Sequence, residues 1–185
     1  QTLTLTACDY ADNCAGLAEL EWRADLHGPA ISWTLTPQDW TNTDVLVQVQ
    51  AKDELSGVKH LSVPQKTGDG PAAQFTVSEN GTYSVSSKDH AGNSTTVAIP
   101  VGNIDKQSPW ALFDPPEAET EEDKIAVLIT PQDDLSGVKR WRYRLTYDEG
   151  QSYIKTSSWF DHDTPQTIEL TMAGKCKIVV ELVDR

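Results

Sequence analysis

Along most of the chain, apolar and polar residues alternate one by one, without the three-to-four spacing of a helix. Val45, Val47 and Val49 fall on one side of such a run, with Leu46, Gln48 and Gln50 on the other. Tyr83 and Val85 alternate with Ser84 and Ser86, and Trp141, Tyr143 and Leu145 with Arg140, Arg142 and Arg144. A period of two sends successive side chains to opposite faces of a strand, and turn-forming strings (SG, GDG, NG, AGN) bound the runs. Strands with one apolar face suit antiparallel sheets packed face to face, the other face wet. Six or seven of them in about 80 residues predict an all-β chain made of β-sandwiches.

The chain also repeats itself at an offset of 80 positions. Residues 84–109 lie on residues 4–29 without a gap, so that Asp89 meets Asp9, Ala91 meets Ala11, Asn93 meets Asn13, Asp105 meets Asp25 and Pro109 meets Pro29. At the same offset Asp53, Leu55, Ser56, Gly57, Val58 and Lys59 meet Asp133, Leu135, Ser136, Gly137, Val138 and Lys139. The period predicts three pieces. Residues 1–24 are the last two strands of a preceding, truncated copy, 25–104 a complete copy, and 105–185 a copy lacking its last strand, with a longer central hairpin region. The expectation is a stretch of a longer tandem array, with an edge strand supplied by another chain as the alternative.

Within the complete copy, Tyr83 stands two residues after Gly81 at the start of a strand. That is the placement of a tyrosine corner, whose hydroxyl ties back to upstream backbone. Cys176 holds the corresponding place in the last copy and cannot make that bond, so the last copy is expected to be the less stable one.

The strings WTNTDVLVQVQAKDELSGVK and FTVSENGTYSVSSKDHAGNSTTVAIPVGNIDKQSP together resemble the tandem bacterial immunoglobulin-like modules of surface and secreted proteins. The likeness covers the middle copy in full and the last from Lys124 onward, and ENGTY with DxAGN carries it. It implies tandem immunoglobulin-like β-sandwiches of seven strands, serving as spacer, stalk or adhesive unit. The last copy departs from the pattern, with about thirteen more residues between Val138 and Gly174 than between Val58 and Gly81.

Charge narrows the partners. With 15 basic and 28 acidic side chains the net charge is −13, which argues against nucleic acid, because phosphate binding needs a basic face. No stretch approaches the ~18 apolar residues of a membrane span. No basic segment followed by an apolar core opens the chain, so a mature or excised piece is expected. Cys8 and Cys14 flank DYADN, a hairpin loop between the last two strands of the first piece, where cross-strand neighbours come within disulfide reach. A disulfide there suits an oxidising, extracellular or cell-surface location, with two reduced thiols as the alternative. Cys176 is expected to fill a core position as a small apolar group.

One constellation carries chemistry. In a sandwich of the implied topology, two loops and the entering linker share one pole. For the middle copy these bring Asp25, Asp53, Glu54, Asp89 and Asn93, and for the last copy Asp105, Asp133, Asp134 and Asp184. Converging carboxylates repel one another unless a cation neutralises them, and Ca²⁺ takes 6–8 oxygen ligands of this kind. A structural Ca²⁺ at each junction is one expectation. The other is turn chemistry alone, since Asp and Asn bond their own backbone in tight turns.

No catalytic constellation stands out. His27, His60, His90 and His162 lack a nucleophile motif around them, and the GDG string at 68–70 reads as a turn, so no enzyme activity and no cofactor beyond that Ca²⁺ are expected. The extra segment of the last copy, 146–165, places Tyr147, Tyr153, Trp159 and Phe160 among acidic and hydroxyl residues. Such aromatics could stack on a cell-surface glycan or meet a protein. They could equally pack across strands of an added hairpin. The acidic run 115–124 reads as a solvated loop. The function expected is a non-catalytic extracellular spacer or stalk whose partners are neighbouring modules of the same chain. An adhesion or carbohydrate-binding module using 146–165 is the alternative.

Overall fold

In the computed structural model of the chain, residues 2–15, 18–21, 23–64, 66–114, 125–147, 155–171 and 176–184 are described. Every regular element among them is a strand, and no helix long and apolar enough to cross a membrane occurs. The first two strands, β1 (Thr2–Leu5) and β2 (Ala18–Glu21), pair antiparallel with Leu3 opposite Leu20.

Seven strands follow: β3 (Ala30–Thr36), β4 (Val45–Lys52), β5 (Val58–Val63), β6 (Lys66–Asp69), β7 (Ala72–Val77), β8 (Gly81–Asp89) and β9 (Ser94–Val101). They make a three-stranded sheet in the order β3-β4-β7 and a four-stranded one in the order β6-β5-β8-β9. The remaining strands are β10 (Trp110–Asp114), β11 (Ile125–Gln132), β12 (Val138–Tyr147), β13 (Lys155–Thr156), β14 (Phe160–Asp161), β15 (Gln166–Leu170) and β16 (Cys176–Asp184). Here β10-β11-β15 form a three-stranded antiparallel sheet, while β13, β14 and β16 all pair antiparallel with β12. The two sets follow one plan. Even a register shift is repeated, between Val58 and His60 against β8 and between Val138 and Arg140 against β16. A bulge of this kind re-aims the side chains beside it.

The chain divides into two compact units. One comprises Gln1–Leu35, Leu46–Thr76 and Gly81–Pro100, the other Thr36–Val45, Val77–Asn80 and Val101–Arg185. In the first, the alternation of β4 sends Val47, Val49 and Ala51 inward, to join Leu61, Val63, Val85 and Ile99, while Gln48 and Gln50 stay exposed. Each fully buried Val, Leu or Ile contributes about 1.5–3 kcal/mol relative to an exposed one. Tyr83 is half-buried, its ring centroid 5.9 Å from that of Phe75.

In the second unit the core gathers Val127, Ile129, Val138, Trp141, Tyr143, Leu145, Ile168 and Leu170, with Phe160 and Cys176 packed against it. Burial pushes the Cys176 thiol pKa up. The segment 102–106 is pinned within this unit. The Asn103 amide donates to the carbonyls of Pro37 and Asp39, both at 3.0 Å. Asn80 exchanges two hydrogen bonds with the Ile104 backbone, and Lys106 pairs with Asp44 at 2.7 Å. Together with the backbone bonds from Thr41 N–H to the Asn103 carbonyl and from Asp105 N–H to the Thr41 carbonyl, these contacts tie 36–45 and 77–80 to the residues after 100.

Candidate functional site

The site is built on a five-residue loop that both units share. Between β4 and β5, Asp53 Oδ1 accepts hydrogen bonds from the backbone N–H groups of Leu55 (3.2 Å), Ser56 (2.9 Å) and Gly57 (2.7 Å). An Asp side chain bonding the backbone just ahead of it is a self-contained turn. Gly57 closes the turn at φ +78°, and Gly137 does so at φ +82° in the second unit. That left-handed region is costly for any residue with a Cβ, which is why the string reads Ser-Gly in both places.

Two further carboxylates reach this loop. Asp25, in the segment before β3, accepts from His27 N–H at 3.1 Å through one oxygen and from Ser56 N–H at 3.1 Å through the other. Asp89, at the end of β8, accepts from Gly92 N–H (2.6 Å) and Asn93 N–H (2.8 Å). The Asn93 side-chain amide then donates to Asp89 at 2.8 Å and to the Asp25 carbonyl at 3.0 Å. Asp25, Asp53 and Asp89 each place a carboxylate oxygen within 4.8 Å of the others, with Asp89 buried and the other two half-buried.

The second unit repeats the set. Asp105 accepts from Gln107 N–H at 3.0 Å and Ser136 N–H at 2.9 Å, and Asp133 from Leu135 N–H at 2.9 Å and Gly137 N–H at 2.7 Å. The Ser136 hydroxyl donates to Asp184. Asp105, Asp133 and Asp184 again offer oxygens within 4.8 Å of one another. The β1–β2 hairpin holds a second version of the Asp89 loop. There Asp9 Oδ1 accepts from the N–H groups of Ala11 and Asn13, both at 2.9 Å, and a disulfide joins Cys8 to Cys14 across the loop.

These donors set the electrostatics. Ser56 and the His27 N–H hold Asp25 below the usual carboxylate pKa. Burial by itself raises Asp89, as does the neighbouring Asp25 charge, yet Asn93 and Gly92 outweigh both and its pKa is lowered. At Asp105 burial is likewise overcome by Ser136 and Gln107. All three therefore remain ionised at neutral pH. In the first triad, three carboxylates so close, with no lysine or arginine among their described hydrogen-bond partners, make a hard-donor pocket. A carboxylate has about four lone-pair sites, so the amide bonds leave capacity for a metal. Three carboxylates supply part of the 6–8 oxygens that Ca²⁺ takes, with water or carbonyl oxygen needed for the rest. The donor set fits Ca²⁺ in kind. Asp25, Asp53 and Asp89, or Asp105, Asp133 and Asp184, would be its protein ligands.

Of the other anticipated residues, Asn93 acts as a hydrogen-bonding bridge beside the first triad. Asp134 is exposed and outside the second, and Glu54 points instead to Lys52 at 2.9 Å. Ser56 and Ser136 were not singled out by the sequence, although their amides connect carboxylates 31 residues away. The signal available was the repeated DxLSGVK string.

The aromatic segment is arranged differently. Phe160 packs in the core, 4.8 Å from the Trp141 ring and 6.2 Å from the Tyr143 ring, because β14 sets it opposite Trp141. The Arg140 and Arg142 guanidinium groups each lie 4.5 Å from the centroid of the half-buried Trp159 ring. Tyr153 and the side chain of Tyr147 lie outside the described residues. Comparison with protein-family models, with curated proteins and with solved structures finds no match for the chain.

Proposed function

We propose that the chain is a non-catalytic extracellular spacer or stalk, built of tandem immunoglobulin-like β-sandwiches in a bacterial surface or secreted protein. The observation that carries this reading is the duplicated carboxylate knot. Asp25 and Asp105, in the segments that enter the two copies, fasten onto Ser56 and Ser136 of the loop ahead. A segment tied to the body it enters has little slack, and tension is then borne by hydrogen-bonded strands and not by a loose linker. The disulfide-closed hairpin at Cys8 and Cys14 supports an oxidising compartment. Ca²⁺ is the structural ion that the triads suit. The packing of Phe160 and the arginine contacts of Trp159 count against a glycan platform on 146–165.

Single-molecule pulling tests the reading. An 80-residue copy such as 25–104 should release about 26–29 nm when it unfolds. Two separate events of this size are expected per chain. One event releasing the whole length would show a single mechanical body and overturn the proposal.

A further inference from the structure

Strand β16 pairs with β12 along one side, and among the described residues no strand pairs with its other side. In the first unit the corresponding place is filled. There β8 lies between β5 and β9, with Val85 and Ser87 buried, and β9 adds Ile99 and Val101 to the core. The registers make Val180 and Leu182 the counterparts of Val85 and Ser87, since Leu182 stands opposite Trp141 as Ser87 stands opposite Leu61. Yet Ile178, Val180 and Leu182 are only half-buried. An open edge offers a row of backbone N–H and C=O groups, which proteins normally blunt with proline, a short strand or an inward-pointing charge. From Cys176 to Val183 the strand has no proline or glycine. Its charges there, Lys177 and Glu181, alternate with the side chains that pack on the core and so lie on the outer face.

The order of residues says what fits this edge. Laid antiparallel on a second copy of itself with Val179 at the centre, β16 sets Lys177 opposite Glu181, Ile178 opposite Val180 and Cys176 opposite Leu182, each pair occurring twice. Residues directly opposite in an antiparallel pair share a face. Apolar side chains therefore meet on the core side, and two pairs of opposite charge form on the outer side. A register centred on Val180 would instead set Lys177 against Val183 and Glu181 against Val179, leaving both charges unmatched. Glu181 is already held on the outer face by Arg142 and Arg144, each at 2.5 Å. A carboxylate has about four lone-pair sites, so capacity remains for the ammonium of Lys177 from a second copy.

We infer that two copies of the chain associate through β16, antiparallel about Val179. A two-fold contact requires one surface that complements itself, and the run Lys177 to Glu181 does so in charge and in polarity. Each copy then covers Ile178, Val180 and Leu182 of the other, as β9 covers β8 in the first unit. The contact involves one edge of the second unit and does not rest on the spacer reading.

Sedimentation of the full chain from about 1 μM to 1 mM should show the mass rising from 20.4 kDa to twice that value. Amide exchange at 177–183 should slow as the dimer fills, with β4 and β8 unchanged. Lys177→Glu sets like charges opposite one another at two places and should raise the dissociation constant about tenfold or more. Glu181→Lys should do the same. An equimolar mixture of these two variants restores both charged pairs in the mixed dimer and should recover the wild-type constant within about threefold. Melting curves accompany each variant. If Glu181→Lys does not fold, Val179→Glu decides. That side chain stands opposite Arg144 of its own chain but faces its own copy across the two-fold axis, so the variant should stay monomeric. A single-copy mass at every concentration would overturn the inference, as would a dimer that survives Lys177→Glu and Val179→Glu. Growth beyond two copies, the outcome if the β1–β2 hairpin of another chain takes this edge, would overturn it as well.

Discussion

Asp53 shows what a single carboxylate does in this molecule. One of its oxygens takes three backbone N–H groups, and without it those donors must find water inside a partly buried loop. Losing hydrogen bonds to a charged group costs about 1.5–3 kcal/mol. Asp53→Ala should therefore lower the unfolding free energy obtained from urea titration by an amount in that range, whereas Asp53→Asn, which keeps an acceptor oxygen in place, should lose far less. Equal losses would mean that charge, and not the turn, is what matters. The lowered pKa values of Asp25, Asp89 and Asp105 add a pH dependence. A carboxyl that binds its proton more weakly when folded contributes stability that is complete above its ordinary pKa, 3.8 for Asp. That contribution is lost as the pH falls through the lower folded value. Urea midpoints should fall with decreasing pH below about 4, and Asp105→Asn should flatten part of that slope. An unchanged slope in the variant would remove Asp105 from the explanation.

Strands β1 and β2 test the same logic at the level of an element. A two-stranded hairpin is marginal by itself, and here Cys8 and Cys14 close it at a sequence separation of only 6. A loop this short gains at the low end of the ~2–4 kcal/mol typical of disulfides. Reduction should speed amide exchange through 2–21 and leave β4, β5 and β8 protected, so loss of protection in those core strands would contradict a local role. Elements of this size were legible in the chain in proportion to their length. The eight and ten residues of β4 and β12 are long enough for alternation to show, and Val47, Val49, Trp141 and Tyr143 are buried as the pattern implies. The two-residue strands β13 and β14 are too short to carry any period, so only the fold places Phe160 against Trp141. The convergence of Asp25 with Asp53 and Asp89 was legible because a sandwich topology brings the entering linker and two loops to one pole. How their charge is held was not, since bonds from Ser56 and Asn93 span 31 and 68 residues and leave no local trace.

Over the whole molecule, the question is whether the triads act as knots of backbone hydrogen bonds or also as ion sites, and net charge complicates the test. A chain at −13 repels itself, so any salt that screens this charge should stabilise it to some degree, the Debye length being about 10 Å at 0.1 M. A rise in melting temperature on adding CaCl₂ is therefore not evidence of a site until NaCl at equal ionic strength has been subtracted. Specific binding has a different form, because an ion that binds only the folded state adds RT ln(1 + [L]/Kd), about 2.7 kcal/mol per site at a hundred times Kd. Mg²⁺ supplies the third comparison. It demands octahedral geometry at shorter distances and gives up its water reluctantly, so a pocket of three carboxylates set by loop backbone should favour Ca²⁺. The expected order of melting temperatures at matched ionic strength is calcium above magnesium above sodium. The calcium increment should shrink when Asp53 and Asp133 are both replaced by alanine, because each removes a ligand from one triad. If calcium and sodium curves superimpose, the carboxylates serve only the amides that they already hold, and the fastening of each copy to its entering segment rests on hydrogen bonds alone.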